Sequence, residues 1–145
     1  MGDSSFHHQK AGEFLKSIKA HIKNQHIEEV ISSLCLNVFY LGLHVIDWYL
    51  AKKGIIEVDN HGDRSNKLRK LNSNLHDIWK SFFSISNDQR YDSLTEIDHL
   101  KRLLEDLEEI TYIISLEFPD FYQLYSEIHE VIENLWEIFS SKLQN

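Results

Sequence analysis

Apolar residues recur at intervals of three and four along most of the chain, and no stretch alternates with period two for long enough to read as a strand. Phe14, Ile18 and Ile22 form one such face, with Lys16, Lys19 and Lys23 turned outward, and predict a first helix over residues 5–23. Asn24 and Gln25 mark a break. Ile27, Val30, Ile31 and Leu34 then lead into a central helix that is apolar almost all round and ends near Lys53 or Gly54, where a glycine cap follows two lysines. After a loop over 55–62, Asp63 is a suitable N-cap for a third helix. Its seam would run through Arg64, Leu68, Leu71, Leu75, Ile78 and Phe82. A second loop over 84–91 precedes a fourth helix over 93–117, carrying Leu100, Leu103, Leu107, Ile110 and Ile114 inward and acidic residues outward. Pro119 suits the first turn of a fifth helix reaching about residue 142, with Phe118, Phe121, Tyr125, Ile128, Ile132, Leu135 and Phe139 on one face. The pattern predicts an all-α chain, an up-and-down antiparallel bundle of four to five long helices. It forms a single domain spanning residues 1–145, with 1–5 and 143–145 frayed.

Within the apolar central helix, Asn37, Tyr40, His44 and Asp47 stand three and four residues apart, so they form one polar stripe. Buried polar groups need partners. If the second and third helices are antiparallel, helix rise sets Asp47 level with Arg69 and His44 level with about Ser73. On that register Asp47 pairs with Arg69 and His44 meets Asn72 or His76, while His61 and Arg64 lie at the loop end of the seam. Such a network suits a register-fixing role as well as a functional one.

Composition refines this picture. The chain has 145 residues, enough for one core, and its formal net charge of −8 argues against a surface built for nonspecific duplex binding. Lys67, Arg69 and Lys70 crowd near Arg64, and Lys52 and Lys53 lie across the same loop; the general reading is a solvated helix face. Cys35 is the single cysteine, which excludes an intrachain disulfide and a cysteine-based zinc site. MGDSSFHHQK lacks a basic region followed by an apolar run, so a reduced, cytoplasmic setting is expected. The apolar run over 34–50 is short for a membrane span and is interrupted by Asn37, His44 and Asp47, so it reads as a buried helix with no membrane partner.

The succession Tyr40, His44, Asp47, Tyr49, Leu50, Ala51, Gly54, Asn60, His61 and Arg64 resembles a small-protein branch of the HEPN domains of bacteria and archaea. In that branch a central helix carries a histidine, an aspartate and Tyr-Leu-Ala, and the loop after it holds a His-x-x-Arg pair. The resemblance is strongest over residues 39–68. It implies a HEPN-like bundle that forms a homodimer and binds RNA or a nucleotide, with His44, Asp47, His61, Arg64 and Tyr40 as the binding set. It also implies partners such as a nucleotidyltransferase or an antitoxin-like protein. Metal-independent ribonucleases of toxin and defence systems in this superfamily use an arginine followed, a few residues on, by a histidine. The histidine moves protons and the arginine meets phosphate charge. Here Arg69 and His76, separated by KLNSNL, meet that spacing and are the candidate catalytic pair. The reading from a different class is a noncatalytic interaction subunit, antitoxin-like or structural, whose acidic fourth helix faces a basic partner.

Nine histidines also raise metal chemistry. Glu96 and His99 form one Glu-x-x-His motif, but Ser126 stands where a second copy would need its glutamate before His129, so a di-iron site lacks ligands. A mononuclear site would draw on His44, His61 or His76, while His7 and His8, near the terminus, are expected to be solvated. The sequence therefore predicts no metal or other cofactor. Trp48, Trp79 and Trp136 lie at helical spacing among phenylalanines and read as core.

Overall fold

The computed structural model describes residues 3–23, 27–88 and 96–143, and among them every regular element is helical. Six α-helices follow in order: α1 Ser4–Lys23, α2 Ile27–Lys52, α3 His61–Leu71, α4 Ser73–Asp88, α5 Glu96–Glu117 and α6 Tyr122–Leu143. A 3-10 turn, Pro119–Phe121, leads into α6. The expected all-α bundle is what forms. His7 and Phe14 of α1 lie against His44 and Tyr40 of α2, Ser81 of α4 against Asp106 of α5, and Glu108 of α5 against Tyr125 and His129 of α6. His7 meets His44 and Phe14 meets Tyr40, while Glu108 meets His129 and Tyr112 meets Tyr125, so α1 with α2 and α5 with α6 run antiparallel.

α2 is the centre. Its buried side chains, among them Leu34, Val38, Leu41, Val45, Ile46, Trp48, Tyr49 and Leu50, point in several directions round the helix, which an amphipathic surface helix would not show. One 18-residue window of α2 is apolar enough to cross a membrane by length and composition, and half of it is buried inside the bundle, as in a core helix. Leu15, Val38, Leu104 and Ile128 meet where α1, α2, α5 and α6 converge. Gly42 lets α4 come close: a Cβ there would stand 2.6 Å from the buried Phe82 ring.

The ends of the helices follow from local chemistry. The Phe6 amide donates to Asp3 Oδ1, which caps α1, so Ser4 and Ser5, expected to fray, are helical. Gly54, at φ +91°, ends α2, with its N–H bonded to Ala51 O and the Ile55 N–H to Leu50 O. That bond pair is a Schellman motif, and only glycine takes this backbone conformation without strain.

Two boundaries differ from expectation. Asn60, not Asp63, caps α3: its Oδ1 accepts the Asp63 N–H at 2.8 Å, while the Asp63 carboxylate accepts from the Asp59 N–H and Lys67. The helix expected from Asp63 through Phe82 is divided at Asn72, whose extended backbone ends α3 and whose side chain accepts the Leu75 N–H to start α4. Asparagine competes with the helical bonds in this way. The break shifts the seam, burying Leu75, Trp79 and Phe82 and leaving Leu71 exposed. It also folds α4 back on α3. Ser65 Oγ and His76 Nε2 lie 2.9 Å apart, where eleven residues of unbroken helix would separate them by about 16 Å. Residues 84–88, expected in a loop, continue α4; the rest of that loop and the start expected at Ser93 lie outside the described residues, as does the break at Asn24 and Gln25.

Candidate functional site

The polar stripe of α2 meets its partners at the end of the bundle where α1 begins and α3 starts. Asp47, 2% exposed, takes a two-pronged bond from Arg64, 6% exposed: Nε donates to Oδ1 at 2.7 Å and one terminal nitrogen to Oδ2 at 3.2 Å. Parallel bonds of this kind use the planar fork of arginine, which a lysine cannot reproduce. The other terminal nitrogen of Arg64 donates to His61 Nδ1 at 2.8 Å. Guanidinium has no acceptor, so the His61 Nδ1 must accept, and the neutral ring carries its proton on Nε2. His61 itself is exposed, with its ring 4.7 Å from that of Phe83. Partial burial, then the adjacent Arg64 charge, hold its pKa below the ordinary histidine value.

The expected pairing of Asp47 with Arg69 does not form. Asp47 would stand level with Arg69 only across a short turn and an unbroken third helix. Instead the five residues from Ile55 to Asp59 are without regular structure, enough chain to move the start of α3 by up to about 16 Å. The first turn of α3, rather than its last, then faces Asp47. Arg69 is exposed and makes a 3.4 Å bond to Asn66.

His44 does not meet Asn72 or His76 either. Its Nδ1 lies 3.0 Å from Nδ1 of His7, so one ring donates and the other accepts. Burial, then His7, lower the His44 pKa, with Lys10 and Arg64 adding to the effect and Asp47 opposing it. Phe14 stacks on His44 with ring centroids 5.7 Å apart and on Tyr40 at 5.4 Å, so Tyr40 belongs to an aromatic patch on the outer side of the stripe. Asn72 and Glu117 engage the Tyr49 hydroxyl, whose pKa is pushed up to about 12, mainly by burial.

His7, expected to be solvated, is 2% exposed. The sequence did hold a signal for it. His7, Ala11, Leu15 and Ile18 are spaced four, four and three apart, so His7 continues the buried face of α1 by one turn. His8, the next residue, is exposed.

Of the candidate catalytic pair, His76 bonds Ser65 and lies 3.3 Å from Asp77, while Arg69 turns to Asn66. The lysines flanking the loop are engaged with carboxylates, Lys52 with Asp120 and Lys53 with Glu117. His99 is buried with neither ring nitrogen hydrogen-bonded among the described residues, and His129 binds Glu108, which also takes the Tyr125 hydroxyl. Among the described residues the group that brings metal-ligating atoms together is His7, His44 and Asp47, whose donor atoms lie within 4.8 Å of one another.

The structure thus unites His44, Asp47, His61, Arg64 and the unforeseen His7 at one end of the bundle, and leaves Arg69 and His76 to separate partners. Compared with family models, curated proteins and solved structures, the chain gives no match.

Proposed function

We propose that the chain is a HEPN-like protein of the cytoplasm that binds RNA or a nucleotide, acting as a homodimer and without cleaving the strand. The observation that carries this reading is the exposed His61 ring held by Arg64. Because Nδ1 is occupied, His61 offers Nε2–H, a donor suited to a phosphate or base oxygen. It does so from the first position of α3, where the helix dipole also favours an anion. Arg69 and Lys70 are exposed on the same short helix and add positive charge.

The same geometry speaks against catalysis by proton abstraction. A ring protonated at Nε2 and kept from gaining charge is a poor base. Arg64 is committed to Asp47, and Arg69 and His76 have separate partners.

A test is a filter-binding assay of labelled single-stranded RNA and of nucleoside triphosphate in EDTA. Wild type is expected to retain one of them with an affinity that falls as salt rises, His61→Ala and the Arg69→Ala/Lys70→Ala pair to weaken it, and the RNA to stay intact. No retention of either probe by wild type rejects the reading; cleavage in EDTA rejects its noncatalytic part. Light scattering checks the dimer, for which the exposed Leu36 and Tyr40 on α2 offer an apolar face.

A second reading, a noncatalytic subunit meeting a basic partner, is supported by the groove lined by Glu105, Glu108, Glu109, Glu133 and His129 between α5 and α6. Its partner would be an antitoxin-like protein or a nucleotidyltransferase. Stoichiometric capture of such a protein, lost on Glu105→Lys/Glu109→Lys, distinguishes it from nucleic-acid binding.

A further inference from the structure

We infer that His7, His44 and Asp47 form a binding site for a divalent transition-metal ion, with Zn2+ the best suited. Two nitrogens and one carboxylate oxygen converge within 4.8 Å of one another. The two Nδ1 atoms are 3.0 Å apart. In a tetrahedral site with bonds of about 2.0–2.1 Å, two nitrogen ligands stand about 3.3 Å apart. The rings therefore need to separate by only a few tenths of an ångström to admit an ion.

Three further features make this a built site. His44 and Asp47 come from one turn of α2 and His7 from α1, so the ligands sit on two rigid helices packed together. Arg64 bonds both oxygens of Asp47 and is itself braced by His61, an outer shell of the kind that orients metal-binding carboxylates. Each carboxylate oxygen keeps a second lone pair for the ion. Phe6 and Phe14 wall the histidines, with the Phe6 ring 5.2 Å from that of His7 and the Phe14 ring 5.7 Å from that of His44, and limit water around the ligands.

The ligand chemistry selects the ion. Two imidazoles with one carboxylate suit Zn2+, Co2+, Ni2+ or Cu2+, whereas Mg2+ and Ca2+ require more oxygen ligands. The Arg64 charge beside Asp47 offsets part of the carboxylate's attraction and adds to that selection against weakly bonding ions. Without metal one of the two rings holds a proton on Nδ1. Binding moves that proton to Nε2 or to solvent, so that both Nδ1 lone pairs face the ion. Three protein ligands leave one tetrahedral position for water or for a ligand group.

The test is calorimetric titration of the untagged, EDTA-stripped chain with ZnCl2, paired with thermal unfolding. One Zn2+ per chain is expected, with Tm rising about 5 °C or more once free Zn2+ exceeds its Kd about a hundredfold, and no rise with MgCl2. His7→Gln and His44→Gln each weaken binding at least tenfold, while His8→Gln and His129→Gln leave it unchanged. The visible spectrum of the Co2+-loaded wild type, which needs no variant to fold, should be that of a four-coordinate ion. Any one of the following overturns the inference: no Zn2+ uptake by wild type, unchanged uptake in His7→Gln, equal loss in His8→Gln, or a six-coordinate Co2+ spectrum. Since RNA and nucleotide retention are measured in EDTA, failure of either proposal leaves the other standing.

Discussion

Removing Asp47 should strand a buried charge and cost this protein much of its stability. In Asp47→Ala the Arg64 guanidinium stays buried, 6% exposed, after losing both bonds to the carboxylate and keeping only His61. Breaking a buried ion pair from one side costs about 3–5 kcal/mol, because the remaining charge has lost its solvent and its partner together. That is about a fifth or more of the roughly 5–15 kcal/mol that holds a domain folded. Arg64→Met should cost a comparable amount by exposing the converse problem, a lone buried carboxylate. The double variant Asp47→Leu/Arg64→Met removes both charges and fills similar volume, so its loss should be about 1 kcal/mol or less. Urea unfolding followed by far-UV circular dichroism, with similar slopes for all four proteins, compares their stabilities directly. If Asp47→Ala cost under about 1 kcal/mol, the value for a solvated surface pair, the buried network described above would be wrong.

Three further outcomes follow from the packing and titration of the bundle. Gly42→Ala places a methyl 2.6 Å from the Phe82 ring, so overpacking of about 1–3 kcal/mol should exceed the helix-propensity gain of up to about 1 kcal/mol; a higher urea midpoint would contradict this. His99→Leu should raise stability by about 1–2 kcal/mol, since it replaces two buried nitrogens with no hydrogen bond among the described residues, and thermal unfolding checks the sign. His44 and His61 titrate below their ordinary 6.5 in the folded state, so the unfolded chain binds more protons just under that pH. Stability should therefore be complete above pH 6.5 and fall as pH drops through the folded values. Urea midpoints should show this fall, and it should be smaller in His44→Gln.

Much of the bundle can be read from spacing alone, since the seams over Leu100–Ile114 and Phe121–Phe139 are the faces that are buried. Gly54 likewise ends α2 where a residue at positive φ was expected. The break at Asn72 was hidden because Leu71, Leu75 and Ile78 keep helical spacing across it, and a side-chain cap is not a periodic signal. That one residue redirects α4 against α3, as the Ser65–His76 contact shows. The site residues His44, Asp47, His61 and Arg64 could be picked out as a group because polar side chains inside an apolar helix demand partners. Their pairing could not, for it depends on an irregular five-residue segment whose path no pattern encodes. His7 was legible in principle, on the face of Ala11 and Leu15, but proximity to the chain terminus argued for solvent.

The central claim is that buried Arg64, anchored by Asp47, holds His61 at the surface as a neutral ring with its proton on Nε2. Nitrogen-15 NMR of the imidazole side chains tests it most directly. His61 is expected as the Nε2–H tautomer at neutral pH, with a titration midpoint below 6.5. An Nδ1–H tautomer, or a midpoint at or above 6.5, would contradict it.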